Sequence, residues 1–257
     1  MSDNFLDIAQ SAAAQAAHII HKTTGTSEAI TEKVSRFDLV TQADLNSEKQ
    51  ILSTLKKSFP RHNFLSEELG LQSSNSEYTW VIDPLDGTSL FTAGLPEYSV
   101  SIGLLHNNQP FLGVILRVAT NEIYYAQKGG GAFKNNLPIH TNSITDLSRA
   151  VIGSDYQNTK EQRVKDHARN LKLMLPAKTF RTGAGSVSSL ADLAEGRLSG
   201  FIHMCKPWDF AAGAAIVAEA GGEVTDWNGH PINWTRDWIE GVFSNHHLHH
   251  ALLNQLI

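Results

Sequence analysis

Apolar positions in the first sixty residues recur with the period of a helix. Phe5, Ile8, Ala12, Ala16, Ile19 and Ile20 share one face of a segment spanning residues 5–22, with Asp3 or Asn4 placed to cap its start. A second helix begins near Ala43 and runs through Leu45, Ile51, Leu52 and Leu55 until Pro60 stops it, since proline has no N–H to continue the ladder. Between the two, Lys33–Thr41 reads as a loop or hairpin. From Tyr78 the period shortens. Runs at Trp80–Asp83, Ser99–Leu105, Phe111–Val118 and Ile123–Gln127 are rich in β-branched and aromatic residues and separated by turn formers, which predicts a meandering, largely antiparallel sheet. The second half alternates: strand Ala150–Ser154, helix Glu161–Leu175, an extended segment Lys178–Arg181, helix Ser186–Glu195 ended by Gly196, strand Ser199–His203, helix Asp209–Ala220 ended by Gly221, and strands near Glu223 and Val242. Alternation of this kind predicts layers of α on β on α. With no linker or low-complexity tract, a single unit over 1–257 is expected, with sub-lobes of about 1–145 and 146–257.

Composition narrows the class. The chain has 257 residues, 41% of them hydrophobic, and 21 Lys+Arg against 26 Asp+Glu give a formal charge of −5. That length can bury a substantial core, which excludes a disordered tail or a disulfide-stapled miniprotein. Cys205 is the single cysteine, so no internal disulfide forms. The absence of a Lys/Arg stripe argues against binding nucleic acid by counterion release. The start, Met1-Ser2-Asp3-Asn4, is acidic rather than basic, and no apolar run approaches the ~18 residues of a membrane span, so a cytoplasmic location away from membranes is expected.

The most informative stretch is Trp80-Val81-Ile82-Asp83-Pro84-Leu85-Asp86-Gly87-Thr88. An apolar strand delivers Asp83 to its end, Pro84 turns the chain, and Asp86 returns a second carboxylate beside the first. Gly87 permits close approach of backbone to a ligand, and Thr88 and Ser89 open a short helix whose N–H groups favour an anion. Carboxylates beside an anion site repel the anion unless divalent cations lie between them. Taken alone, Asp-Pro-x-Asp-Gly is equally a plain turn. Glu67 and Glu68 just upstream, and Trp208-Asp209 opening a helix of small residues (Ala211, Ala212, Gly213, Ala214, Ala215), weigh against that; Asp209 also suits an N-cap.

With these motifs in order, the chain resembles the inositol monophosphatase family of magnesium-dependent, lithium-sensitive phosphatases over nearly its whole length. Asp38–Asp44 looks like its N-terminal signature, Glu67-Glu68 its acidic pair, Asp83–Thr88 its central motif, and Lys206–Asp209 with Glu219–Gly222 its C-terminal motif. The resemblance implies a layered αβαβα sandwich of the sugar-phosphatase type, with an antiparallel N-terminal sheet and a mixed C-terminal sheet. It implies one Mg²⁺ on Glu67, Asp83 and the carbonyl of Leu85, a second on Asp83, Asp86 and Asp209, and a third, weaker ion near Glu67 that activates water. Thr88, hydrogen-bonded to Asp44, takes up the proton. Phosphate rests on the N–H groups of Gly87 and Thr88, with Asp86, Asp209, Gly185, Ser186 and Lys33 as further substrate contacts. A homodimer, a small phosphate ester as the partner and no direct binding of nucleic acid are the accompanying expectations. Phosphatases of the haloacid dehalogenase type need two aspartates two residues apart; Asp83 and Asp86 are three apart with Pro84 between, which rejects that chemistry.

The ester itself is less legible. Arg181–Ser186 resembles the family's substrate loop and reads about one residue shorter than in inositol enzymes. Where inositol-specific members carry a glutamate, this chain offers Ile202 or His203. Histidinol phosphate, fructose 1,6-bisphosphate and adenosine 3′,5′-bisphosphate therefore stand beside inositol monophosphate as expected substrates. A regulatory binding protein on a phosphatase scaffold, as some bacterial relatives are with transcription machinery, is the reading from another class. Gly129-Gly130-Gly131 reads as a hairpin turn rather than a phosphate cradle, and His246, His247, His249 and His250 as exposed surface rather than a metal site.

Overall fold

The computed structural model describes residues 4–23, 30–32, 39–156, 160–183 and 185–256. Helix α1 (Phe5–Thr23) forms where its periodicity predicts and buries Phe5, Ala9, Ala12, Ala13, Ala16 and Ile20. The small residues on that face let α2 (Gln42–Ser58) lie close beside it. Ahead of α2, β1 (Ile30–Glu32) and β2 (Leu39–Thr41) pair antiparallel, as a hairpin requires. Lys33 and Asp38 lie outside the described residues.

Next come β3 (Asn63–Ser66), β4 (Gly70–Gln72), β5 (Tyr78–Asp86), α3 (Thr88–Thr92), β6 (Ser99–His106), β7 (Gln109–Arg117), β8 (Glu122–Gln127), β9 (Ala132–Lys134) and β10 (Leu137–Pro138). They form an eight-stranded sheet in the order β10-β9-β8-β7-β6-β5-β3-β4. Its pairings are antiparallel with one exception: β3 runs parallel to β5, with Ser66 opposite Ile82. Four residues are too few to show periodicity, so β3 carries no signal in the sequence; yet this pair brings the chain after Ser66 alongside Asp83.

A 3₁₀ turn at Leu147–Arg149 leads into β11 (Val151–Gly153), α4 (Lys160–Met174), β12 (Thr179–Arg181), α5 (Ser186–Ala194), β13 (Gly200–Cys205), α6 (Pro207–Glu219), β14 (Gly222–Thr225), β15 (Ile239–Asn245) and α7 (His249–Leu253). The second sheet, β12-β11-β13-β15-β14, is mixed: β11 is parallel to both its neighbours and the other pairings are antiparallel.

Three apolar clusters glue five layers together. One joins α1 and α2 to one face of the first sheet through Trp80, Ile82, Ile102 and Val114. The second fills the space between the sheets with α5 and α6, from Val81 and Ile115 to Phe201 and Phe243. The third places α4 and α7 on the outer face of the second sheet, around Ile152, Ile202, Leu173 and Leu252. The order is α, β, α, β, α. Helix α6 packs closest, because its small residues meet glycines. A Cβ at Gly113 would lie 2.1 Å from the Ala212 carbonyl, and one at Gly103 2.8 Å from the Ala211 Cβ.

Candidate active site

The site is built where β5, α2, α5 and α6 converge. Asp83 and Asp86 are three residues apart, and in a regular strand they would face opposite sides of the sheet. Strand β5 does not end at Asp83, as the proline led us to expect; it continues to Asp86 through an irregularity. Asp83 is opposite Ser101 and Asp86 opposite Ser99, so one extra residue is accommodated at Pro84–Leu85. A bulge of this kind re-aims side chains, and proline, lacking an N–H, fits it without losing a ladder bond. Both carboxylates thereby reach one side. Asp83 is also held from below, its Oδ1 accepting the Leu85 N–H at 3.0 Å.

Two helix starts aim the remaining acids by one device. Asp209 lies in the first turn of α6, where its Oδ2 accepts the Lys206 N–H at 3.0 Å; it is therefore not the cap itself, as sequence alone allows, but the residue three positions inside. Asp44 repeats the arrangement in α2. Its Oδ2 accepts the Thr41 N–H at 2.8 Å and the Thr41 hydroxyl at 2.6 Å, while its Oδ1 takes the Thr88 hydroxyl at 3.0 Å. The Leu85 carbonyl is also 3.0 Å from Thr88 Oγ1, so one hydroxyl proton has two acceptors. The Thr88–Asp44 contact expected from sequence is thus present.

Glu67 follows β3, and its N–H donates to the Ile82 carbonyl at 3.2 Å. The turn after it is fixed by Glu48 of α2, a buried carboxylate that accepts the N–H groups of Glu68 and Leu69 at 3.0 and 3.3 Å. Glu48 carried no signal in the sequence beyond its place on a helix. Gly87 has φ +86°, and a Cβ there would meet the Glu97 carbonyl at 2.6 Å, so packing as well as backbone conformation demands glycine before α3.

Oxygens of Asp83, Asp86 and Asp209 all come within 4.8 Å of one another. Burial raises the pKa of Asp83 well above that of an ordinary carboxylate, and the charges of Glu67, Asp86 and Asp209 add to the rise. Asp86 is raised in the same way, by burial and then by Asp209, Asp155 and Glu67. Burial lifts Asp209 to about 6. Asp86 Oδ2 is buried and makes no hydrogen bond among the described residues. Like charges gathered in this way, with an orphaned oxygen among them, are the donor set of a hard divalent cation and are costly without one.

Helix α5 closes the other side. Gly185 has φ +76°, its N–H donates to Asp155 Oδ2 at 3.2 Å, and a Cβ on it would lie 2.6 Å from Asp86 Oδ2. Gly185→Ala is therefore expected to displace the Asp86 carboxylate and to weaken divalent-cation binding by about tenfold or more, with the fold kept. Calorimetric titration of folded variant and wild type decides it; equal affinities would mean that the loop does not press on Asp86. Ser186 is buried beside Cys205, whose thiol is pushed well up, first by burial and then by the Asp209 charge. Cys205 is thus a buried neighbour of Asp209.

Other expectations resolve differently. Ile202 lies in the outer apolar cluster, and His203 is buried, with its imidazole held neutral by a pKa lowered to about 3 through burial and the nearby Arg169 charge. Neither supplies a carboxylate acceptor. Asp155, just beyond β11, joins the site unannounced; its only hint was a place at the end of a predicted strand. The glycines at 129–131 do form the β8–β9 turn, and they hold an anion of the chain itself: Gly129 and Gly131 N–H groups donate to the Glu219 carboxylate, each at 2.9 Å. The histidines correct the sequence reading in part. His246 is exposed, but His249 is buried, bonded at 2.8 Å to both the Ser244 and Thr225 hydroxyls, because α7 turns it inward against β14 and β15.

Comparison with known proteins agrees with this geometry. Residues 1–257 match the inositol monophosphatase family. The chain is 35% identical over 263 residues to "Inositol monophosphatase 2" of Solanum lycopersicum, covering 99% of this chain and 98% of that one. It is 37% identical over 229 residues to "Nus factor SuhB" of Vibrio cholerae, covering 87% and 85%. Among solved structures, the inositol monophosphatase from Anabaena superposes with a TM-score of 0.87 at 31% identity, covering 98% of this chain and 94% of that one.

Proposed function

Because the chain belongs to the inositol monophosphatase family, we propose that it is a magnesium-dependent phosphomonoesterase acting on a small polyol or sugar phosphate, inositol monophosphate being the nominal substrate. The observation that carries this reading is the convergence of Asp83, Asp86 and Asp209 within 4.8 Å, beside a threonine hydroxyl already bonded to a buried aspartate. Glu67, Asp83 and the Leu85 carbonyl would hold one Mg²⁺, and Asp83, Asp86 and Asp209 a second. All-oxygen donors suit this ion. Bound there, Mg²⁺ supplies positive charge to the phosphoryl oxygens and a water of lowered pKa.

The chain's own groups do the rest. Glu67 orients the attacking water, and Thr88 Oγ1 accepts its proton while passing its own to Asp44 Oδ1, along the hydrogen bond already formed. The N–H groups of Gly87 and Thr88 receive the phosphate. Gly185, Ser186, Asp86 and Asp209 face the alcohol, and Lys33 adds charge. Water displaces the alcohol directly, with no covalent enzyme intermediate. The reading includes a homodimer and a cytoplasmic setting; among the described residues no helix is long and apolar enough to cross a membrane.

A substrate panel tests it. Inositol monophosphate, fructose 1,6-bisphosphate, histidinol phosphate and adenosine 3′,5′-bisphosphate are each assayed with Mg²⁺ and with chelator. At least one is expected to be hydrolysed, only with Mg²⁺ present. Since Ile202 and His203 offer no carboxylate to a ring hydroxyl, inositol monophosphate is not required to rank first. No hydrolysis of any ester would remove the enzyme reading.

A further inference from the structure

The metal carboxylates account for one side of Asp86; on the other side runs a line of polar residues that the proposed chemistry does not use. Asp86 is opposite Ser99 on β6, Ser99 is opposite Arg117 on β7, and Arg117 is opposite Glu122 on β8, so four polar residues lie level across four adjacent strands. Above them, Ser188, Asp192 and Glu195 recur at four- and three-residue intervals along α5 and its end, which puts them on one helix face. The two rows interlock. Ser99 and Ser188 hydroxyls are 3.0 Å apart. Arg117 donates through Nη2 to the Ser188 carbonyl at 2.7 Å and to Asp192 Oδ1 at 2.6 Å. Asp192 is also bonded by Arg181, from the strand that leads into the substrate loop. At the far end Tyr124 and Lys134 hold the Glu195 carboxylate at 2.8 and 2.9 Å.

Apolar contacts tolerate sliding of a helix along its axis, whereas a guanidinium gripping a carbonyl and a carboxylate at once does not. Asp192 is 4% exposed and Arg117 13%, so the pair is held away from solvent. What the seam fixes is the start of α5, where Gly185 lies against Asp86 so closely that a Cβ would meet its Oδ2, and the Val187 N–H faces the Asp86 carboxylate. We propose that Arg117 and Asp192 are positioning residues of the active site: by locking the axial position of α5 against β6 and β7, they hold Asp86 in its cation-binding orientation. The inference rests on the metal-dependent reading above and adds to it the residues that set cation affinity from outside the ligand set.

The test uses the full chain and two readouts: Mg²⁺ affinity by calorimetry, and kcat and KM as functions of Mg²⁺. Arg117→Met is expected to weaken Mg²⁺ binding by about tenfold or more, the scale seen when groups behind a ligand are lost. At saturating Mg²⁺ its kcat is expected within about threefold of wild type, because the groups that move the proton are untouched. Arg117→Lys restores part of the affinity. Glu122→Gln, at the start of β8 and 3.7 Å from Arg117 but not bonded to α5, is expected to leave it unchanged. Folded Arg117→Met with wild-type affinity overturns the proposal, as does Glu122→Gln weakening Mg²⁺ as much. If Arg117→Met does not fold, Asp192→Asn takes its place: it removes the charge that Arg117 grips, and an unchanged affinity would equally overturn the inference. A wild-type chain that binds no Mg²⁺ sinks the metal reading and this inference with it; the other adverse outcomes sink the inference alone.

Discussion

Asp86→Asn is expected to lower turnover on the order of 10³-fold and, in the absence of metal, to raise the melting temperature. Both effects have one cause. Asp86 is crowded by Asp209, Asp155 and Glu67, and burial compounds the repulsion. Its Oδ2 finds no donor among the described residues. An amide there is isosteric and uncharged, so the metal-free chain loses a repulsive charge and keeps its packing. For a chain of this size, each kcal/mol gained is worth about 2 to 4 °C. The same amide is a poor ligand for a hard cation, and the phosphoryl group loses the positive field it needs. Assay of the variant with the best ester from the panel, together with melts in chelator, checks both halves. Turnover near wild type would remove Asp86 from the metal set. A lowered melting temperature without metal would mean that the carboxylate is stabilised by something other than a cation. A cellular function that survived the substitution would not depend on the metal site.

Sequence carried the acids better than it carried the means of aiming them. Asp83, Asp86 and Asp209 were legible because strand-ending carboxylates beside Pro and Gly, and an acid opening a helix of small residues, are locally unusual. Layers of α on β on α were legible because the hydrophobic period changes from helical to strand-like and back; the full five-layer order came with the family resemblance. The bulge at Pro84–Leu85 was not: it exists only against β6, whose register the sequence does not display. Strand β3 was too short to show a pattern, and it is held in place by β5 rather than by its own composition. Glu48 and Asp192 looked like ordinary helix-surface acids. What distinguishes them is the partner that approaches from elsewhere in the chain: the turn after Glu67 in one case, Arg117 in the other. His249 was misplaced because the short helix that buries it gives no amphipathic signal over five residues.

The second large effect is in pH. Without metal, the carboxylate cluster destabilises the protein increasingly from about pH 4 to pH 7. Asp209 has its pKa raised from 3.8 to about 6, and Asp83 is raised well above 3.8, both chiefly by burial. A group whose folded pKa exceeds its unfolded value favours folding fully below the unfolded pKa, and that contribution is lost as pH rises through the folded pKa. Asp209 alone then accounts for a change on the order of 2 kcal/mol, reduced by solvent screening because the residue is only partly buried. Two imidazoles pull the other way. His203, lowered to about 3, and His249, also lowered, are protonated more readily in the unfolded chain, so their contribution is lost as pH falls through 6.5. The absolute curve of stability against pH therefore mixes opposite slopes. The difference between wild type and Asp209→Asn isolates the cluster, because both chains carry the same histidines. In chelator, denaturant melts are expected to show wild type losing stability relative to Asp209→Asn as pH rises from 4.5 to 7.5. Saturating Mg²⁺ should reverse that trend in wild type alone, since the ion binds the ionised form and adds its binding free energy to the folded state. A difference that stays flat across this range would show that burial does not hold the Asp209 carboxyl above its ordinary pKa, and the expected pH dependence would fail with it.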